Sequence, residues 1–224
     1  MGNRAPESAN DFESTERTRV RQRASRARYD RETIYRILDE GLVGHVGFVV
    51  DGQPYVIPMS YARDGDRLVL HGSPASRLLR TISDGVPVCI TVTLVDSLVV
   101  AAHTAHHSMN YRSVAILGRG AAVTSEAEKA KALRTLAERY LPGHLAHAHP
   151  PTPEEVRATL VVEVPLREAS AKIRAEPPLR GEDEGGIWTG EIPLRLVALP
   201  AVGRPDESIP LPPSIANYAL PGGR

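Results

Sequence analysis

GHVGFVVDGQPYVIPMSYARDGDRLVLHG, residues 44–72, decides the fold. Three runs rich in β-branched, aliphatic and aromatic residues are separated by Asp51-Gly52 and by the RDGD stretch at 63–66, and both breaks are turn signals. Runs joined so tightly pair as antiparallel neighbours, because parallel strands need a crossover of a dozen residues or more. The expectation is a meander of three strands. Upstream, Asp30 is placed to cap a helix with Ile34, Ile37 and Leu38 on one face, stopping at Gly41, read as its left-handed C-terminal residue.

Downstream, Ser73-Pro74 reads as a helix start, with serine as N-cap and proline in the first turn, and Leu78, Leu79 and Ile82 form the buried face. VPVCITVTLVDSLVVA, residues 86–101, is too β-branched for a comfortable helix and reads as a strand running into the edge of another. YRSVAILGRGAAVT, 111–124, is the next strand. Ser125 and Glu128 suggest a capping box for a helix lined by Ala130, Leu133, Ala137 and Tyr140, ending near Leu141-Pro142. Thr152-Pro153-Glu154-Glu155 starts another helix, and LVVEV at 160–164 is a further strand. Strands outnumber helices and are not parallel-linked, which favours an antiparallel barrel with helical insertions over a doubly wound sheet.

The 224 residues fit one domain with appendages: an arm at 1–28, a body at 29–199 and a proline-rich tail at 200–224. Residues 17–28 hold six arginines and no acid, which reads as a mobile or surface-draped arm. Lys+Arg 27 balance Asp+Glu 27, and no aromatic platform accompanies the arginines, so nucleic acid is disfavoured as a partner. A single cysteine, Cys89, excludes an internal disulfide and a multi-cysteine metal site and suits a reducing compartment. No apolar run approaches a membrane span and the N-terminus is not signal-like, so a cytoplasmic protein without membrane attachment is expected.

Two stretches carry chemistry. In RLVLHGSPASRLLR, 67–80, a strand delivers the chain to a helix start where free N–H groups favour an anion, and Ser73, Ser76, Arg77 and Arg80 add hydroxyls and guanidinium forks. A capped helix with surface arginines is the plainer reading. The glycine spacing of Walker or Rossmann turns is absent. HTAHHSMNYRSV, 103–114, concentrates imidazoles, an amide, a phenol and a guanidinium before a strand, which suits a ligand or an interface. Metal binding by His103, His106 and His107, or by His144, His147 and His149, lacks a cysteine or consistent acidic partner. Trp188 lies in the glycine-flanked GGIWTGEIPL and can cover a planar ligand or simply pack. With no nucleophile elbow, paired carboxylates or Cys/His dyad in the sequence, a cofactor is expected to carry the reaction.

The pieces HHSMNYRSVAILGRG (106–120), PYVIPMSYA (54–62), LVLHGSPASRLLR (68–80), VPVCITVT (86–93), ASAKIR (169–174) and WTGEIPL (188–194) together resemble the pyridoxamine-phosphate-oxidase-like FMN-binding split-barrel flavoproteins, and within them the nitroimidazole-reductase-related branch. The resemblance spans about residues 28–199. It implies a six-stranded antiparallel split β-barrel that forms a homodimer, with FMN sites shared between subunits. It implies Pro58, Met59 and Ser60 along the flavin edge, and His71, Ser73, Ser76 and Arg77 on the ribityl chain and phosphate. Asn110, Tyr111, Arg112 and Ser113 would close the site, and Trp188 would approach from the neighbouring subunit. The basic pair of the family's phosphate motif is here Arg77 followed by Leu78. Relatives also carry haem or a deazaflavin in place of FMN, and His71 is a conceivable haem ligand. The implied activity is an oxidoreductase taking electrons from NAD(P)H to a small organic acceptor, a nitro compound or quinone. The alternative is a non-catalytic flavin- or haem-binding or sensing protein.

Overall fold

A computed structural model of the chain describes residues 11–179, 185–204 and 208–221. The first ten residues of the expected arm, and parts of the loop before Trp188 and of the tail, lie outside these. Asp30 accepts from Thr33 N at 2.8 Å and starts α1 (Arg31–Glu40), which buries Ile34, Ile37 and Leu38 completely. Gly41 ends α1, but with φ −70° it is not left-handed. Its glycine is required by close approach: a Cβ there would meet Val92 Cγ1 at 2.3 Å.

β2 (Val43–Val50) and β3 (Gln53–Ser60) form an antiparallel hairpin with Val50 opposite Gln53. Asp51 and Gly52 both take positive φ, +50° and +78°, as a two-residue turn matched to strand twist demands. The expected three-strand meander then divides. At Tyr61, fully buried with its hydroxyl donating to Leu38 O, the chain leaves the first sheet. β4 (Ala62–Asp64) and β5 (Arg67–Gly72) pair with each other in a second sheet. Each hairpin is local and legible, but which sheet it joins is set by distant strands.

The remaining strands are β6 (Pro87–Val100), β7 (Ser108–Arg119), β8 (Ala121–Ala122), β9 (Leu160–Pro165), β10 (Glu168–Arg174) and β11 (Gly190–Pro193), with β1 at Ala27–Arg28. The larger sheet runs β1-β10-β7-β6-β2-β3, with β11 also on β6; the smaller runs β4-β5-β9-β8. All pairings are antiparallel, and the architecture is the expected mainly-β split barrel with inserted helices. Val46, Phe48, Ile90, Val92, Val114 and Ile116 of the larger sheet meet Leu68, Leu70, Val162 and Val164 of the smaller in one core, sealed by α1 and by Leu78, Leu79 and Ile82. Val69 and Val161 point the other way, against α3 (Glu126–Tyr140).

Three local expectations are corrected. Helix α2 covers Arg77–Ser83 and is capped by Ser76, not Ser73. Ser76 N donates to Ser73 O at 2.9 Å, so Ser73-Pro74 forms a turn ahead of the helix. On α3 the buried face is Ala132 and Leu136, with Leu133 and Tyr140 beside them; Ser125 caps it by accepting from Glu128 N. The complete reciprocal capping box occurs instead on α4 (Pro153–Ala158), between Thr152 and Glu155. From Asp11 onward the N-terminal arm takes the surface-draped alternative and is fastened there. Phe12 lies in the core, β1 pairs with β10, and Arg17 and Arg26 pair with Glu168 and Glu176. Arg17 and Arg26 find their acids about 150 residues away, and Arg21 pairs with Glu16.

Candidate functional site

The strand-to-helix corner from β5 to α2 brings together His71, Ser73, Ser76 and Arg77. Ser73 Oγ accepts from Ala75 N at 3.1 Å and Ser76 Oγ from Leu79 N at 3.3 Å, which leaves both hydroxyl hydrogens available to an outside acceptor. Arg77 is exposed and makes no ion pair among the described residues. Its guanidinium carbon lies 5.5 Å from the centroid of Tyr55, whose ring stacks on Phe48 at 5.4 Å. A cation over an aromatic face with its N–H groups free is poised to bind an oxyanion. His71 Nδ1 is buried without a hydrogen-bond partner, and burial alone holds the imidazole below its ordinary pKa, so it is neutral near pH 7.

The other expected residues are distributed by strand geometry. Pro58 is exposed and faces out from β3 opposite His45, whereas Met59 turns inward against the core; Ser60, half-buried, is the last residue before the chain changes sheet. Three consecutive strand residues cannot share one face. On β7 the same alternation separates Asn110 and Arg112 from Tyr111 and Ser113. Asn110 is buried, donates to Glu191 Oε2 at 2.8 Å, and accepts from Arg174 and from Glu176 N. Ser97 Oγ donates to the same Glu191 oxygen at 2.7 Å. This network fastens β11, and with it Trp188, to the sheet. The Trp188 ring is 64% exposed and lies over Gly190, where a Cβ would come within 2.6 Å of it. Asn110 therefore positions the Trp188 segment.

Arg112 is clamped. Its Nε and Nη2 donate to Asp96, and both terminal nitrogens donate to Glu40. Those two carboxylates, Glu40 first, raise its pKa and keep it charged. An arginine so committed ties α1 to the sheet. Ser113 Oγ donates to Lys172 O at 3.2 Å, and Tyr111, half-buried, lies opposite Val95 and Arg174.

Two features were not foreseen from sequence. The outer face of the larger sheet is broad and apolar, with Val43, Val49, Val56 and Val95 exposed around Pro58, Thr91 and Thr93. On one edge β6 pairs with β2 only at 89–91 and with β11 only at 97–100. The open stretch between them borders a cavity of about 1180 Å³, walled by Tyr35, Arg36, Leu94, Arg112, Leu196 and Leu220 among others. It is roomy enough for a ligand the size of a dinucleotide or a porphyrin. The alternation of β2, β3 and β6 announces the exposed valines, but the notch depends on where two distant strands stop.

A family model described as pyridoxamine 5′-phosphate oxidase matches residues 30–173. Among solved structures, the chain is similar to the flavocytochrome Anf3 from Azotobacter vinelandii, at 37% identity and a TM-score of 0.85, over 92% of this chain and 98% of that one. It is similar to the FAD and heme binding protein from Mycobacterium smegmatis at 30% identity and a TM-score of 0.84, over 89% of this chain and all of that one. A candidate 5-nitroimidazole antibiotic resistance protein from Bacteroides thetaiotaomicron gives 25% identity and a TM-score of 0.56, over 66% of this chain and 86% of that one. No curated protein sequence matches significantly.

Proposed function

The chain belongs to the pyridoxamine 5′-phosphate oxidase family, and from that premise we propose that it is an FMN-binding flavoprotein that passes electrons from NAD(P)H to a small organic acceptor such as a nitro compound or a quinone. The observation that carries the reading is the β5–α2 corner: two hydroxyls with hydrogens to donate beside an arginine without an acid partner among the described residues. That donor set fits a phosphate ester. Arg77 balances its charge, Ser73 and Ser76 donate to it, and His71 supplies a neutral nitrogen beside the ribityl chain. A bound flavin supplies hydride acceptance and electron release, chemistry that none of these side chains provides. The chain's own share is position, charge balance and exclusion of water, the last assigned to the apolar face around Pro58 and to Trp188 of a neighbouring subunit.

A homodimer with cofactor sites at its interface belongs to the same reading, because the exposed valines of the larger sheet form a surface suited to a second copy. A second reading is haem binding, alone or beside flavin. It is favoured by the orphaned Nδ1 of His71 and by the two relatives named for flavin with haem. The absorption spectrum of the purified protein, followed by anaerobic NADPH, tests these readings. Flavin bands that bleach support the reductase, bands that persist support a binder or another reductant, and a Soret band directs the assignment to haem. Chromatography of the released flavin separates FMN from the FAD of the named relatives.

A further inference from the structure

Beyond the bulge at Asp96, β6 and its neighbours present two unlike faces. On one, Ser97 and Asn110 hold the Glu191 carboxylate, with the buried Val99 beside them. On the other, register places Met109 of β7 opposite Leu98 of β6, and Leu98 opposite Ile192 of β11. All three side chains are exposed, and they form one row across three strands. One same-face step from Ile192 is Gly190. Its φ is not left-handed, so the backbone does not require glycine there; a Cβ would come within 2.6 Å and 2.8 Å of Trp188 Cζ2 and Cη2. The missing side chain lets the six-membered ring of the indole lie on the strand at the end of the row, with most of the side chain still open to solvent. The row stops at Met109, because β10 pairs with β7 only from Tyr111 onward.

We infer that Trp188, Ile192, Leu98 and Met109 form a stacking platform for the electron-poor ring of the acceptor, a nitroaromatic or a quinone. Neighbouring strands about 4.8 Å apart and same-face residues about 7 Å apart make the platform roughly 10 Å by 7 Å, the footprint of one ring or two fused rings. A protein partner needs roughly 800 Å² on each side, an order of magnitude more. The four side chains carry no charge, and the Glu191 carboxylate is turned to the opposite face, so a neutral ligand suits the surface. The π face of indole is negative, which favours an electron-poor ring over an electron-rich one. The polar clamp beneath fixes β11 before a ligand arrives, so little ordering is left to binding. The inference deepens the reductase reading above and rests on it for the ligand's role as electron acceptor.

Trp188 is the chain's only tryptophan, so its emission reports the platform directly. The full-length protein as purified is titrated with nitrobenzene and with 1,4-naphthoquinone while emission intensity and lifetime are followed. A ring seated on the indole quenches statically, with saturation and an unchanged lifetime. M109D/I192D puts charge into the row, and Gly190→Ala puts a methyl where the indole lies; each should weaken the saturable quenching at least tenfold. Met109 and Ile192 are exposed, so thermal melts of M109D/I192D should match wild type. Quenching that stays linear in probe and shortens the lifetime in step, or saturable quenching equally tight in both variants, overturns the platform. Absorbance of the same samples reads the flavin. Saturable quenching in protein that binds no flavin overturns the reductase reading and leaves the ring site standing, whereas collisional quenching in flavin-loaded protein overturns the platform alone.

Discussion

Arg112→Met separates a structural arginine from a ligand-binding one. The substitution keeps most of the aliphatic stem and removes the guanidinium that joins Glu40 of α1 to Asp96 of β6. Arg112, Glu40 and Asp96 are 23%, 28% and 36% exposed at the side chain, so the clamp is neither fully buried nor free in water. Breaking a buried pair costs about 3–5 kcal/mol and an exposed one about 0–1, so this partly buried triad should lose about 2–3 kcal/mol. For a chain of this size that is a fall in Tm of about 5–10 °C. Thermal unfolding by circular dichroism measures it. Adding Glu40→Gln and Asp96→Asn to Arg112→Met should recover part of the loss, because the uncompensated charges go too. The reasoning is refuted if Arg112→Met melts with wild type, or if it loses flavin affinity while its Tm holds.

The remaining predictions test other parts of the account. His71 has a pKa lowered by burial, so the unfolded chain takes up a proton first as pH falls. Stability should be complete above about pH 6.5, the ordinary imidazole value, and decline below it; in His71→Asn this step should vanish from the dependence of Tm on pH. Gly41→Ala places a methyl 2.3 Å from the buried Val92 Cγ1 and should cost about 1–3 kcal/mol by overpacking, read from denaturant midpoints. Glu168 is held below its ordinary pKa by hydrogen bonds from Arg17 and Thr15, so its hold on the N-terminal arm is present above the unfolded value, about 4.3, and fades as pH falls through the lower folded one. Glu168→Gln should loosen the arm at neutral pH, seen as faster proteolysis within residues 17–28 and little change in Tm.

What could be read from sequence was local. The Asp51-Gly52 turn, the Asp30 cap and the helix start at Thr152-Pro153 each depend on residues within three or four positions, and each is present as read, whereas the reciprocal capping box expected at Ser125–Glu128 is found at Thr152–Glu155. The β5–α2 corner was legible for the same reason, although its cap moved from Ser73 to Ser76 because the serine-proline pair closed a turn first. What escaped was long-range. Arg112 walls the cavity, but its partners Glu40, 72 residues away, and Asp96 could not be named from the sequence. The arm looked unpartnered until Glu168 and Glu176 were placed beside it, and the β3–β4 break needed Leu38 to receive the Tyr61 hydroxyl. Gly41 carries no hint in its neighbours of the valine 51 positions on that forbids a side chain.

The central claim is that the corner formed by Ser73, Ser76 and Arg77 holds the phosphate of a flavin nucleotide. The most direct measurement compares FMN with riboflavin, titrated into flavin-free wild-type and Arg77→Ala protein at fixed salt. Wild type should prefer FMN. Losing a charge-assisted contact of about 1.5–3 kcal/mol should weaken FMN binding by roughly 10- to 100-fold while leaving riboflavin unchanged. Equal affinities for the two flavins in wild type, or an Arg77→Ala protein that keeps its preference for FMN, would contradict it.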